Sequence, residues 1–285
     1  MQALTRILAA TDFSPAADRA VRRATLIAKQ HGAELRLLHV VHPLTLYAGQ
    51  EIDAGPLDEA ALAAAGERLG PLAERLAREA GIRTHAAWRI GRAHSRIAEY
   101  AEEIGADLVV VGARGENTLL RLLLGSTANR LLRVRGSPTL IVRNEDVQPY
   151  AHVVAAVDFS RGSGTVLAWA RRLAGEEQID VVHVLEPELD RRLPAHERKQ
   201  ADAGMREIAG GLMHHLLADL PGKHSGHVET GYPPSRLLEA AQARQAELIV
   251  LGRHGQSGLE EYLLGSVSKD VAQAAACDVL LTGEN

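Results

Sequence analysis

The chain repeats itself, and that constrains its architecture more than any other feature. Residues 5–14 read TRILAATDFS and residues 152–160 read HVVAAVDFS. The pairing continues with LLHVV at 37–41 and VVHVL at 181–185, then ADLVVVGARG at 106–115 and AELIVLGRHG at 246–255. It closes with LLLGS at 122–126 and YLLGS at 262–266. The offset is 146 at Asp12/Asp158, 144 at His39/His183 and 140 from Gly91/Gly231 onward. Two short deletions therefore separate two copies whose motif order never changes. A chain of 285 residues holds two domains of ordinary size, each with its own core. The polar segment 143–150 places the boundary, giving domains 1–146 and 147–285.

Within a copy, short apolar runs alternate with helical periodicity. Residues 7–10 are apolar on both faces, which suits a buried parallel strand. Ser14 supplies an N-cap and Pro15 the first helical position. Val21, Ala24 and Ala28 then share one helix face, and the helix ends near Gly32. Strands are expected at 35–41, 84–90, 107–111 and 139–142. Helices are expected at about 58–80, 93–104 and 126–134, with Gly70-Pro71 expected to kink or split the first of these. The second copy repeats the pattern over 153–281. Five strands alternating with helices predict α/β architecture, two doubly wound open parallel sheets of Rossmann type in tandem. Aromatic content of only 3% points the same way, to cores of Ala, Val, Leu and Ile.

The chemistry sits in a spacing, Gly112-x2-Gly115-x9-Gly125-Ser126, repeated as Gly252-x2-Gly255-x9-Gly265-Ser266. Each begins where an apolar strand ends and finishes where a helix begins. In an open parallel sheet that is where ligands bind, beyond the carboxyl ends of the strands. Gly112 and Gly252 keep a Cβ out of the way of a close ligand. Gly115 and Gly255 tolerate positive φ. Gly125 and Gly265 expose the first amides of the next helix to an anion, while Ser126 and Ser266 bind a phosphate oxygen or cap the helix. Helix–strand packing is the alternative use of these glycines, but two copies of one spacing at strand-to-helix junctions favour a phosphate. Asp12 and Asp158 stand at the first strand ends, on the same sheet edge. Each is placed to accept from a ribose hydroxyl, to reach a metal on the phosphates, or to make a turn before Ser14 or Ser160.

The paired glycine motif, the Asp-Phe-Ser strand ends and the tandem layout resemble the universal stress protein family, in its two-domain form, over both halves almost end to end. The resemblance implies a five-stranded parallel sheet of adenine-nucleotide-alpha-hydrolase-like type in each half. It also implies ATP, ADP or AMP as ligand, with Mg2+ accompanying the phosphates. In the ATP-binding branch the matching residues would be Asp12 and Asp158 at ribose and adenine, and Val40 and Val184 beside the adenine. Around the phosphates would lie Val111, Gly112, Arg114 and Gly115 with Gly125, Ser126 and Thr127. In the second half the set is Leu251, Gly252, His254 and Gly255 with Gly265, Ser266, Val267 and Ser268. The first half departs from the pattern: Thr127-Ala128 stands where the second has Val267-Ser268, one hydroxyl fewer. Arg114 supplies charge there, so both sites are expected to bind with different affinity.

Other classes find less support. A net charge of −4 argues against nucleic-acid binding, and the pairs Arg171-Arg172 and Arg191-Arg192 read as solvated helix faces. No run approaches the ~18 apolar residues of a membrane span. One cysteine, Cys277, read as a small buried residue, fits a reducing cytosol, and a cytoplasmic protein is expected. Residues 221–224, PGKH, lack the rest of a P-loop, so a fast ATPase or kinase lacks its lysine. His214-His215 lacks metal-ligand spacing, and His39 and His183 read as hydrogen-bonding strand-end residues. The leading expectation is a stress-response or regulatory protein that binds an adenine nucleotide and has at most weak hydrolytic activity. An ATP-using transferase or slow ATPase, and an interaction module with vestigial pockets and unidentified protein partners, are the alternatives. The last strands, 139–142 and 279–281, are edges whose pairing would make an intramolecular pseudo-dimer, with homodimerisation a further step. The long segments 43–57 and 187–200 are candidates for covering the nucleotide or meeting a partner.

Overall fold

The computed structural model describes residues 3–42, 55–114, 124–134, 136–186, 195–254 and 264–283; the side chains of 55–59, 195 and 198 are also left undescribed. Gly115 and Gly255, Arg191-Arg192 and most of the long segments 43–57 and 187–200 fall outside these residues. The chain divides into two compact units, Met1–Gln148 and Pro149–Asn285.

The first unit runs β1 (Arg6–Thr11), α1 (Pro15–His31), β2 (Glu34–Val41), α2 (Gly55–Ala80), β3 (Thr84–Ile90), α3 (Ala93–Glu103), β4 (Leu108–Gly112), α4 (Ser126–Leu131) and β5 (Thr139–Val142). Its strands lie in the order β3-β2-β1-β4-β5, and each neighbouring pair is parallel. The second unit runs β6 (His152–Ala156), α5 (Gly162–Ala174), β7 (Gln178–Leu185), α6 (Ala195–Leu217), β8 (His224–Thr230), α7 (Pro233–Ala243), β9 (Leu248–Gly252), α8 (Ser266–Ala274) and β10 (Asp278–Thr282). Its order is β10-β9-β6-β7-β8, again parallel throughout. Both are the doubly wound sheets that the alternating pattern predicts.

The central strands are buried on both faces, as their unbroken apolar runs require: Ile7, Leu8 and Ala9, Leu108 to Val111, and Leu248 to Leu251 are all in the cores. α1 starts as the sequence dictates. Ser14 Oγ accepts from the Ala17 N–H at 3.2 Å, Pro15 takes the first position, and Gly32, at φ +64°, closes the helix onto the Ala28 carbonyl.

Three local readings differ from the sequence expectation. α2 runs unbroken through Gly70-Pro71, because Leu69, Ala73 and Leu76 are buried on its sheet side while Pro71 faces solvent. α5 is not capped by Ser160; it begins at Gly162 behind Arg161, with no side-chain cap. Arg171 is no solvated charge: its guanidinium donates to the carbonyls of Gly175, Glu177 and Lys223, fastening the end of α5 to the loop before β8. Partial burial lowers its pKa, with Glu176 opposing that shift. Cys277 is buried just before β10, as expected.

The segment after β5 belongs to the first unit for a visible reason. Arg23, 1% exposed on α1, donates to the Gln148 carbonyl, and to that of Asp146 at 3.5 Å. A buried guanidinium needs such acceptors, and they hold the chain to α1 as far as 148.

Candidate functional site

In each unit strand order reverses between the first and fourth strands, β1 beside β4 and β6 beside β9. That reversal opens a crevice at the carboxyl edge of the sheet, between helices that depart to opposite faces. Asp12 directly follows β1 and Gly112 ends β4; Asp158 follows β6 by two residues and Gly252 ends β9. The motif residues that lie far apart in sequence therefore flank the switch point in both halves.

In the second half the crevice is a cavity of about 560 Å³. Asp158, Val184, Leu251, Gly252, His254, Gly265, Ser266, Val267 and Ser268 all line it. Every residue the sequence singled out in this half, apart from the undescribed Gly255, thus faces one space. Asp158 also does turn work: its Oδ1 accepts from the Ser160 N–H at 3.0 Å and from the Ser163 hydroxyl at 3.1 Å. Those bonds fix the carboxylate at the cavity wall. Ser268 is 5% exposed, and its hydroxyl donates to the Gly252 carbonyl at 2.6 Å. That bond holds the strand exit against the start of α8.

The helix after the glycine loop meets the cavity with its N-terminus. Gly265 is the N-cap of α8, its N–H donates to the Arg253 carbonyl at 2.8 Å, and no side chain caps the helix. Ser266 is thus the first helical residue and not a cap, as is Ser126 behind Gly125 in α4. The opening amides of α8 lack intrahelical acceptors and belong to Ser266 and Val267, which line the cavity, a fitting place for anionic oxygens. A Cβ at Gly265 would stand 3.2 Å from the Arg253 carbonyl oxygen, a close but not prohibitive approach.

The first half keeps the same residues at the edge, in tighter surroundings. Asp12 is exposed, and its Oδ1 accepts from the Ser14 N–H at 3.0 Å. Val40 is half-buried at the end of β2, Val111 is buried, and Thr127 is half-buried in α4. A Cβ on Gly112 would lie 2.8 Å from both the carbonyl carbon and oxygen of Ala16. Helix–strand packing, one of the two uses weighed for this glycine, is what occupies that space here. Arg114 is half-buried, and its Nε has no hydrogen-bond partner among the described residues.

Several participants escaped the sequence reading. Phe13 and Phe159 hold left-handed backbone, φ 62° and 61°, an uncommon state for an aromatic residue. Each ring stacks on the histidine of the next strand, Phe13 on His39 at 4.7 Å and Phe159 on His183 at 4.3 Å between centroids. Those histidines bind the preceding strand end, His39 Nδ1 to the Thr11 carbonyl at 2.8 Å and His183 Nδ1 to the Val157 carbonyl at 2.9 Å. The repeated Asp-Phe-Ser was legible as a motif, but its use of a strained turn was not. Met205, Ile208, Ala209 and Leu212 of α6 form an apolar wall of the cavity, with Ile208 66% and Leu212 46% exposed. Arg253, 6% exposed between Gly252 and His254, has its pKa lowered by burial to about 10. In the first half His94, at the start of α3, is pushed below the usual histidine range by burial and then by the charges of Arg130 and Arg92. Among the described residues no group of three His, Cys, Asp or Glu side chains gathers to hold a metal ion by itself.

A pair of doubly wound domains, each with a glycine-lined exit at its switch point, defines the class: tandem Rossmann-like α/β proteins. The universal stress protein family profile matches residues 4–143 and again 149–283. A universal stress protein of Mycolicibacterium smegmatis is 30% identical over 290 residues, covering 96% of both chains. One of Mycobacterium tuberculosis is 27% identical over 299 residues, covering 96% of this chain and 94% of its own. The crystal structure of a universal stress protein from Archaeoglobus fulgidus superposes with a TM-score of 0.72 at 20% identity, over 100% of each chain. This chain belongs to the universal stress protein family, with two such domains in tandem.

Proposed function

We propose that the chain is a regulatory protein that binds an adenine nucleotide, principally in its second half. The observation that carries this is the 560 Å³ cavity, whose wall joins an aspartate, a glycine exit, an open helix N-terminus and an apolar face. That combination suits a ligand with a flat apolar base at one end and a polyanion at the other. Asp158 would accept from the ribose hydroxyls, and Val184 would flank the base. The amides at Ser266 and Val267 would receive the phosphates, with His254 beside them. Mg2+ would arrive bound to phosphate oxygens and keep several of its waters. Occupancy would act by linkage: a ligand that binds only the folded form stabilises it by about 2.7 kcal/mol at a hundredfold excess over Kd. Any partner that prefers the occupied form would then be recruited in proportion.

Thermal unfolding with added ATP, ADP and AMP tests the reading. A rise in midpoint that saturates with concentration is expected, and Gly265→Ala/Ser266→Ala should leave only the weak, high-concentration response of the first half. No rise with any of the three would refute nucleotide binding. Radiolabelled ATP held with excess protein separates binding from turnover: persistence over hours is expected, and rapid loss would favour an ATP-using enzyme.

A further inference from the structure

The two halves differ at one matched position beside the base end of the site. From Gly91/Gly231 onward the copies align at an offset of 140. On the covering helices burial recurs every four residues: Leu69/Ala209 and Ala73/Met213 pair at that offset, and Ala65/Ala209, Leu69/Met213 and Ala73/Leu217 at the 144 of the preceding strand. Arg68 on α2 therefore corresponds to Ile208 on α6 in the first register and to Leu212, one turn on, in the second; both are apolar and line the second cavity. In the second half Ile208 and Phe159 line the open cavity together. In the first, the Arg68 guanidinium lies over the Phe13 ring, 3.9 Å from its centroid. A second difference stands independently at the phosphate end. Ala16 and Ala17 press their backbone on Gly112, whereas their counterparts Gly162 and Ser163 line the second cavity.

We propose that Arg68 and Ile208 decide which half reads the base: the Arg68 guanidinium takes the base's place over Phe13, while Ile208 keeps the equivalent space open and apolar. The inference rests on the nucleotide-binding reading above. A base entering the first half must displace a cation–π contact, and it meets a charged stem where the second half offers an apolar wall. Arg114 still draws phosphate to the first exit, so that half is a weak receptor and the second a strong one.

Isothermal titration calorimetry of the full chain with ATP tests this, with hydrogen-exchange mass spectrometry assigning each bound nucleotide to a half. The wild-type chain is expected to bind one ATP tightly, with protection in the second half. Arg68→Ile should tighten the first half about tenfold; Arg68→Ala, which removes the cation without building the wall, should give a smaller gain. Ile208→Arg should weaken the second half by about tenfold or more, and the double exchange should move the tight site to the first half. Both side chains are exposed, so the variants should fold; circular dichroism checks this. Two equal wild-type sites would overturn the inference and leave nucleotide binding intact. So would an Arg68→Ile chain whose first half is unchanged or weaker. Absence of ATP binding in the wild type and in both exchanges would overturn the functional reading and this inference together.

Discussion

Gly112→Ala isolates the physical difference between the two strand exits. Carbon atoms in contact sit about 3.5–4.0 Å apart, yet the new methyl would find the Ala16 carbonyl carbon and oxygen at 2.8 Å and the Ala17 nitrogen at 3.1 Å. All three are backbone atoms of the first turn of α1, so no rotamer change relieves the clash. The turn must retreat, and Ser14 Oγ, capping Ala17 at 3.2 Å, retreats with it or loses its bond. Overpacking of this kind costs about 1–3 kcal/mol. Stiffening of the unfolded chain by alanine returns about 0.4–1 kcal/mol. The net loss expected is about 1–2 kcal/mol in the first unit, or a fall of roughly 2–8 °C in its unfolding midpoint. Gly252→Ala is the internal control. There the methyl meets the His254 carbonyl oxygen at 3.2 Å and Val166 at 4.0 Å, so strain and stiffening nearly cancel. Urea unfolding of the full chain measures the loss, and hydrogen exchange assigns it to a unit. If Gly112→Ala unfolded at the wild-type midpoint, or if Gly252→Ala proved the more damaging, the close-approach argument would be wrong.

Ser268→Ala should cost about 1–3 kcal/mol, since it strips the Gly252 carbonyl of a buried donor, and urea titration would reveal it. Tyr150→Phe should cost a similar amount: its hydroxyl donates to Asp278 Oδ2 at 2.7 Å, with the two residues 2% and 0% exposed. Asp107 gives a pH signature. Burial by itself would raise its carboxyl, but the N–H groups of Arg6 and Thr5, the Thr5 hydroxyl and the Arg6 charge outweigh that and hold it below the usual range. Its contribution is therefore present above the unfolded value near 4 and fades as pH falls through the lower folded value. The stability gap between wild type and Asp107→Asn should be small at pH 6, because the group is partly exposed, and should close below about pH 4. A gap that widened on acidification would contradict the sign.

The elements were legible because their signals are local. Two-sided apolar runs at 108–111 and 248–251, the Ser14-Pro15 start and the Gly32 stop each fix a short piece of chain without help from elsewhere. The repeat then supplied the domain plan. What sequence could not reveal depends on contacts across the fold. Pro71 reads as a break until Leu69 and Ala73 are seen buried against the sheet. Ser160 matches Ser14 in the repeat, yet α5 begins two residues beyond it because Ser163 bonds Asp158. Arg68 and Ile208 carry no motif at all. Their difference emerges only when the helix register is laid over the Phe13 and Phe159 turns.

The anchoring of residues 146–148 by Arg23 tells an experimenter where to cut. Severing the halves at 146, where the repeat alone suggests, would delete the Gln148 carbonyl and leave a guanidinium interred with fewer mates. A first half ending at 148 or later keeps its tether, and the shorter piece should melt earlier for want of two residues.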